Sequence, residues 1–582
     1  MQVNNMTLII GGDAGQGVES SGAGFCKALA RGGLHVFSVQ DHRSRIRGGH
    51  NFYVIKTSDQ PIVSWTEPVQ LVVALTQETV NIHLKKVVPG GAIIYDDEFN
   101  IKKEQLENKN VKSIAVPLNK IARDIGGSQV MANTAALGAV AGLTQFPLKY
   151  IRSVVKDNFK KKGDKIVEAN YKVAREAYNY VISQYGTSFE WKLKSIDAPE
   201  RMVINGNQAI SLGALVSGCN FVSAYPMTPG TSIFEWLTAH ANQYGIVSKQ
   251  TEDEIAAICM AIGAAHVGAR ALVPTSGGGF SLMVEALGLA GMSETPIVIV
   301  NAQRPGPSTG FATRTEQADL LFTINASQGE FPRIVLAPGD TEQCFKATAR
   351  AFNLAEKYQT PVIILTDAFL ANSYRTIEKA ALDFESVTID RGQLLTEIEL
   401  DQLRGDYKRH AFTDNGISAR ALPGHPKAIF KTTSDEHNEF GEIIEDAETR
   451  NKMHQKRMRK LDTALADMIA PILYGPGESE ITFICWGSTL APLKEAVNIL
   501  NNDKRNMANL LQFMDLWPFP VEKVRPFVAK AGKLISVEGN YTGQLASLIK
   551  MTMGLEVDDK ILKYDGRTFS PEYILNNLKE ML

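Results

Sequence analysis

No CxxC pair occurs in this 582-residue sequence, and its five cysteines, Cys26, Cys219, Cys259, Cys344 and Cys485, stand far apart. A zinc site or a four-cysteine iron–sulfur cluster within this chain is therefore not expected, because such sites draw closely spaced thiolates from short loops. Scattered thiols fit a reducing cytoplasm better than a disulfide-built secreted fold. Long apolar runs are also lacking. The longest, such as PIVIV at residues 296–300, are strand-sized and fall well short of the roughly 20 residues a membrane span needs. The opening MQVNNMTLIIGG has no basic region ahead of an apolar run, so no export signal is expected. Net charge is only −2, which gives no general pull toward nucleic acid or a membrane surface. Two motifs are missing as well. No P-loop GxxxxGK[ST] occurs, and GDG never occurs, although Gly12, Gly163, Gly339 and Gly405 are each followed by aspartate.

What is present is enough chain for about three domains. Residues 1–191 open with a short apolar strand (7–10), a glycine turn and a helical stretch (18–30). Further strands follow at 71–75 and 92–97. Residues 197–373 repeat that alternation, with strands expected near 221–224, 270–273, 296–301, 333–337 and 361–366. Strands alternating with helices predict α/β layers around parallel sheets. Residues 374–469 are polar and broken by Gly416, Gly424 and Pro426. They end in the charged run NKMHQKRMRKLDTALADMI, read as a connection followed by a solvated helix. Residues 470–582 form a last small α/β unit, with strands ITFICW and KLISVE.

Six motifs carry chemistry, and each also has a plain structural reading. GGDAGQG, residues 11–17, follows a strand and precedes a helix. Gly12, Gly15 and Gly17 would let backbone approach an anion at a helix start, or simply make a tight turn. The spacing is not that of the dinucleotide fingerprint GxGxxG. In DHRSRIRGGH, residues 41–50, Arg43, Arg45 and Arg47 alternate before Gly48, Gly49 and His50. They form either a polyphosphate-binding face or a solvated basic edge. AYPMTPGTSIFEWL, residues 224–237, offers Thr228 as a helix cap with Pro229 at the first helical position. Its hydroxyl would face ligands at the sheet's carboxyl edge. In QTEDEIAAICMAIGAAHVGARA, residues 250–271, Glu254 heads an apolar helix. It is either the far member of a Thr251-x-x-Glu254 capping box or a carboxylate for a buried heterocycle nitrogen. Glu252 and Asp253 are expected to be solvated. TSGGGFSLM, residues 275–283, reads as a glycine loop around Ser276 and Gly277, open to a flat ring. NAQRPGPSTG, residues 301–310, delivers Arg304 to a strand end as a carboxylate clamp or an ion pair. Arg314 is a weaker candidate of the same kind.

Together these motifs resemble the 2-oxoacid:ferredoxin oxidoreductase family. YPMTP matches its YPITP motif, with methionine for isoleucine. Residues 254–263 and TSGGG are similar to its cofactor-pyrimidine region, though the usual TSGPG proline is missing. GGDAGQG and RGGH resemble its gamma domain, here fused ahead of the alpha domains, and NYTGQL (540–545) resembles its C-terminal domain. The resemblance implies a Rossmann-like coenzyme A-binding domain, then a pyrimidine-type thiamine-diphosphate-binding domain, then a transketolase C-terminal-like domain. It implies that Glu254, with Pro229, Ser276 and Gly277 nearby, serves thiamine diphosphate, the glutamate at the aminopyrimidine N1′. It implies that Thr228, Arg304 and Arg314 hold the 2-oxoacid, and that Gly12, Gly15, Gly17, Arg45, Arg47, Gly48, Gly49 and His50 serve coenzyme A. The fused layout and YPMTPGT look most like the 2-oxoglutarate enzyme, which makes succinyl-CoA and CO2 and passes electrons to ferredoxin. Pyruvate, branched-chain 2-oxoacids and indolepyruvate stay open as substrates. Lacking GDG and clustered cysteines, the chain would need a beta subunit to bring the magnesium–diphosphate end and a [4Fe–4S] cluster, the heterodimer itself pairing. The rival classes are a nucleotide-binding regulatory protein and a non-catalytic scaffold.

Overall fold

The structure is a computed structural model that describes residues 2–42, 49–101, 106, 110–186 and 188–582. The chain forms two compact units. One comprises Met1–Asn205, Asn372–Ala381 and Ser570–Leu582, and the other Gly206–Ala371 and Leu382–Phe569.

The first unit is built on an eight-stranded sheet. Its order is Lys112–Val116, Val87–Asp96, Val69–Ala74, Met6–Asp13, His50–Ser58, His35–Asp41, Arg375–Glu378 and Arg201–Ile204. Strand Met6–Asp13 is central and apolar on both faces, as a strand covered on both sides must be. From it toward Lys112–Val116 the pairing is parallel. Toward Arg201–Ile204 it is antiparallel. The expectation of a parallel sheet is thus corrected for half of this unit. His35–Asp41 returns directly as His50–Ser58, and that antiparallel ribbon leaves no room for a crossover helix. Helix Val18–Arg31 packs Phe25, Cys26 and Leu29 into the core. Glu19 in its first turn and Arg31 in its last complement the helix dipole.

The second unit holds a seven-stranded and a five-stranded sheet. The larger has the order Val247–Gln250, Phe221–Ala224, Ala271–Thr275, Val298–Gln303, Val362–Asp367, Ile334–Leu336 and Asp515–Trp517. The first six are parallel, and Asp515–Trp517 closes the edge antiparallel. The five strands expected from sequence appear here within two residues of their predicted ends. The smaller sheet runs Ile472–Tyr474, Ala508–Phe513, Ile481–Trp486, Lys533–Glu538 and Asp559–Leu562. One apolar core joins the two sheets, with Trp486, Phe513 and Phe519 beside Ile299 and Ile363.

The charged run of the connection is not the solvated helix expected. It forms helix Ala447–Ala464, capped by Asp446, and it buries Lys456, Arg457 and Lys460. Lys456 and Lys460 each reach a Glu294 carboxylate oxygen at 2.5 Å, and Arg457 forks onto Glu436. Glu294 lies 162 residues upstream of Lys456, so no local charge pattern announces the pairing. No helix among the described residues is long and apolar enough to cross a membrane.

Candidate functional site

Four of the motifs leave the carboxyl ends of adjacent parallel strands, where α/β proteins bind ligands. Strand Phe221–Ala224 runs into the Tyr225–Pro229 corner. Val247–Gln250 leads to Glu254, Ala271–Thr275 to Ser276, and Val298–Gln303 to Arg304.

The corner differs from its sequence reading. Helix Thr231–Tyr244 starts after Gly230, so Thr228 is not its cap. The Thr228–Pro229 peptide is cis, and the Met227 carbonyl accepts the Thr231 N–H at 3.1 Å. Arg304 Nη1 donates to the Thr228 carbonyl at 2.8 Å, tying the strand-end guanidinium to the threonine–proline corner. Gly230 packs so closely on the neighbouring strand that a Cβ there would lie 2.6 Å from the Thr275 carbonyl oxygen.

Glu254 is likewise freed from capping. Asp253, one residue earlier, caps helix Glu254–His266 by accepting the Ala256 N–H at 2.8 Å. The Thr251 hydroxyl turns to the Asp253 carbonyl instead. The capping box is therefore absent, and Asp253 is a half-buried cap rather than a solvated charge. The Glu254 side chain, 3% exposed, is left pointing inward, and its Oε1 is buried without a hydrogen-bond partner. Burial raises its pKa above the ordinary carboxylate range, Asp253 adds to that, and Arg304 opposes it. Burying a charge without partners is costly, and this favours the protonated form.

TSGGG is not a loop. The strand ends at Thr275, Ser276 stands at the N-cap, and Gly277 begins helix Gly277–Met292 at once. The glycines let this helix start lie against the carboxylate. A Cβ on Gly279 would fall 2.7 Å from both Cγ and Oε1 of Glu254 and 2.2 Å from Thr275 Oγ1. Gly278 faces Met227 of the corner, whose Sδ would stand 3.9 Å from a Cβ there. Ser276 Oγ is buried and unpartnered as well. Glu254, Arg304, the Thr228 carbonyl and the glycine helix start thus form one linked group. Arg314 lies beside Gly566, a Cβ at that glycine falling 3.1 Å from Arg314 Cβ.

Sequence reasoning passed over three neighbours. Asn301 Nδ2 donates to Asp319 Oδ2 at 3.1 Å. Asp319 in turn crowds Gly277, where a Cβ would meet its Oδ2 at 2.5 Å. Glu316 accepts the Gly306 N–H just beyond Arg304. The signal available was RTEQADL (314–320), two acids three residues apart in a loop otherwise poor in them.

The first unit carries the other candidate group. Gly17, in the left-handed region at φ 76°, precedes helix Val18–Arg31, and Gly15 has φ 95° with open space around it. Gly12 lies in the strand itself, and Gln16 Oε1 accepts the Asp13 N–H at 2.8 Å to hold the turn. Asp13 pairs in register with His50, and the Ala14 N–H donates to the Gly49 carbonyl. The two glycine motifs therefore meet at one sheet end. Arg45, Arg47 and Gly48 lie outside the described residues. A cavity of about 240 Å³ opens beside the turn, lined by Gly15, Gln16, Asp96, Asn119 and Asn133 among others. His50 is bonded through Nε2 to His83 Nε2 at 2.8 Å. One proton serves both nitrogens, and burial pushes His83 down to about 3.

Three family profiles match the chain. They are pyruvate flavodoxin/ferredoxin oxidoreductase, thiamine diphosphate-binding, over residues 212–456, pyruvate ferredoxin/flavodoxin oxidoreductase over 7–180, and pyruvate:ferredoxin oxidoreductase core domain II over 479–574. The chain is 35% identical to a 2-oxoacid:ferredoxin oxidoreductase subunit alpha of Sulfolobus sp, over 97% of this chain and 95% of that one. It is 27% identical to the 2-oxoglutarate oxidoreductase subunit KorA of Mycobacterium tuberculosis, over 98% and 91%. Among solved structures it resembles a 2-oxoglutarate:ferredoxin oxidoreductase from Magnetococcus marinus with 2-oxoglutarate, coenzyme A and succinyl-CoA bound. That likeness has a TM-score of 0.90 at 32% identity and covers 99% of each chain.

Proposed function

Since the chain belongs to the 2-oxoacid:ferredoxin oxidoreductase family, as an alpha subunit, we propose that it acts on 2-oxoglutarate, converting it with coenzyme A to succinyl-CoA and CO2 while ferredoxin takes the electrons. The observation that carries this reading is the buried, unpartnered Glu254 oxygen beside Arg304 and the glycine helix start. A structural carboxylate would have found a donor.

The residues present fit thiamine diphosphate. Glu254 offers a carboxyl to a ring nitrogen, and Gly278, where a Cβ would meet only Met227 at 3.9 Å, keeps the helix start open on that side. When bound, the cofactor supplies a nucleophilic carbon for the 2-oxoacid carbonyl. The chain's own residues do the rest. Glu254 holds or releases a proton at the aminopyrimidine N1′, a task suited to a pKa moved toward neutrality. Arg304 presents its planar fork to the substrate's carboxylate, held in place through the Thr228 carbonyl. Thr228, Pro229 and Ser276 shape that pocket, and Arg314 is assigned to the substrate side. Gly15, which lines the 240 Å³ cavity, is assigned to coenzyme A together with Gly12, Gly17, Arg45, Arg47, Gly48, Gly49 and His50. Backbone N–H groups at a helix start suit its phosphates. The magnesium–diphosphate end and a [4Fe–4S] cluster are assigned to a beta subunit, the complex being a dimer of heterodimers. That division follows a sequence with no GDG and no clustered cysteines.

The test is to co-express the chain with its beta partner and follow viologen reduction with coenzyme A and a panel of 2-oxoacids. The highest kcat/KM is expected with 2-oxoglutarate. Glu254→Ala should lose about 10²–10⁴-fold in kcat. Wild-type turnover in that variant would remove Glu254 from the chemistry, and a preference for pyruvate would overturn the substrate assignment.

A further inference from the structure

The segment NYTGQL, residues 540–545, has no part in the reading above, yet its amides grip the chain that follows Arg304. Gln317 is 2% exposed. Its N–H donates to the Gly539 carbonyl at 2.7 Å, and its Oε1 accepts the Gly539 N–H at 2.9 Å. Its carbonyl accepts Asn540 Nδ2 at 3.0 Å, and its Nε2 donates to the Trp486 carbonyl at 2.8 Å. Gln544 takes hold of the next residues. Its Nε2 donates to the Ala318 carbonyl at 2.7 Å, and its Oε1 accepts the Leu321 N–H at 3.0 Å.

The peptide joining Ala318 to Asp319 is therefore held on both sides. Gln544 takes its oxygen, and its N–H donates to Gln303 Oε1 at 2.9 Å. The C=O and N–H of a trans peptide point in opposite directions, so this one planar group reaches from Gln544 to Gln303, the residue before Arg304. Gln303 is 1% exposed, and its Nε2 is fixed by the Thr366 carbonyl at 2.9 Å. The Asp319 side chain accepts Asn301 Nδ2 and lies against Gly277. Residues 305–316 leave as a loop between these two pinned points. The Phe311 N–H donates to the Pro305 carbonyl at 3.1 Å within it, and the loop carries Arg314.

We propose that Gln544, acting through the Ala318–Asp319 peptide and Gln303, sets the position of Arg304 and with it the capture of a 2-oxoacid. The inference rests on the 2-oxoacid reading of the site, and Gln544 and Gln303 are positioning residues. A neutral amide suits the task. It donates to a carbonyl and accepts from an N–H at once, which neither a carboxylate nor an ammonium group does. Without the Gln544 donor the Ala318 carbonyl loses its partner, the peptide is free to turn, and Gln303 loses the N–H that holds its amide oxygen. The strand end that delivers Arg304 then slackens, while the first unit, with its coenzyme A candidates, keeps every one of its own bonds.

The experiment uses the alpha–beta holoenzyme with the 2-oxoacid it turns over fastest, and compares kcat/KM for that 2-oxoacid with kcat/KM for coenzyme A. Gln544→Glu keeps an acceptor for the Leu321 N–H. It also puts a negative charge in the first turn of helix Gln544–Met553, where the helix dipole favours one. It loses only the donor to the Ala318 carbonyl. In this variant kcat/KM for the 2-oxoacid should fall about 3–30-fold, while that for coenzyme A and the melting temperature hold. A purely structural tie to helix Leu320–Ile324 would leave Gln544→Glu like wild type and harm only Gln544→Met, which loses both bonds. Gln303→Met should repeat the 2-oxoacid loss, and Gln303→Met with Gln544→Glu should be no worse than the poorer single variant, because both cut one connection. If Gln303→Met does not fold, Gln544→Glu against Gln544→Met decides alone. A wild-type 2-oxoacid kcat/KM in Gln544→Glu, equal losses for both substrates, or additive losses in the double variant would overturn the proposal by itself. Absence of turnover with every 2-oxoacid in the unmutated holoenzyme would overturn the 2-oxoacid reading, and the proposal with it.

Discussion

Replacing Glu294 by glutamine would leave two buried ammonium groups facing a neutral amide. In the native protein its carboxylate receives Lys456 and Lys460 at 2.5 Å each and His410 Nδ1 at 2.8 Å, all of them at most 1% exposed. Removing one partner of a buried ion pair costs about 3–5 kcal/mol, because the survivor stays buried and uncompensated. The two lysines do not share that cost equally. Burial already pushes Lys460 down to about 7, so it sheds its proton readily once the carboxylate is gone. Lys456 then carries most of the penalty. Lys460→Met should cost less than Glu294→Gln, since the carboxylate keeps Lys456. An all-apolar replacement of Glu294, Lys456 and Lys460 should be milder than Glu294→Gln alone. Urea unfolding followed by tryptophan fluorescence reads this directly. With a slope of about 3 kcal/mol per molar urea, Glu294→Gln should move the second unit's midpoint down by about 1–1.7 M. The sign with pH follows from Lys460. Its folded pKa lies below the ordinary 10.5, so its contribution to stability is full above that value and is lost as pH falls through about 7. A wild-type midpoint in Glu294→Gln, or a larger loss in Lys460→Met, would refute the reasoning.

The remaining expectations concern the site. Glu254→Gln should melt higher than wild type at pH 8 while losing turnover, because burial raises the native carboxyl pKa and ionisation opposes folding as pH rises through that value; equal melting at pH 8 would contradict the raised pKa. Gly279→Ala adds a Cβ 2.7 Å from the Glu254 carboxylate, a strain of about 1–3 kcal/mol offset by about 1 kcal/mol of helix propensity. Activity should therefore fall much further than the melting temperature, and parallel losses would argue against a displaced carboxylate. Arg304→Lys loses a planar two-point contact worth about 1.5–3 kcal/mol, so KM for the 2-oxoacid should rise roughly 10–100-fold, as initial rates would show.

The sequence was most readable where physics is local. Strands such as residues 221–224 and 481–486 are short apolar runs bounded by turns, and they form where that pattern puts them. The site motifs were readable as a set, because each follows such a strand. Their local roles were less so. Thr251 and Glu254 have capping-box spacing, yet Asp253 takes the cap, since a carboxylate one residue nearer the helix reaches its N–H groups. Thr228 and Pro229 look like a helix start, but the turn spends two more residues before Thr231. The lysine-rich helix looked solvated because its counter-charge, Glu294, sits at the end of a distant helix. Asp319 and Asn301 escaped notice for a related reason: the bond between them forms only after the sheet aligns Asn301 with Thr275.

Strand Arg375–Glu378 lies between His35–Asp41 and Arg201–Ile204 in the first unit's sheet, although it is encoded after all of Gly206–Ala371. A gene cut at residue 205 would yield a head with a vacant lane in its sheet, rows of backbone donors and acceptors unpaired on both sides of the gap. Such a fragment would be prone to capturing stray strands. Splitting this fused subunit into separate polypeptides would therefore require the interrupted sheet to be rewired first, and the strand borrowed from downstream works as a covalent lock on the fusion.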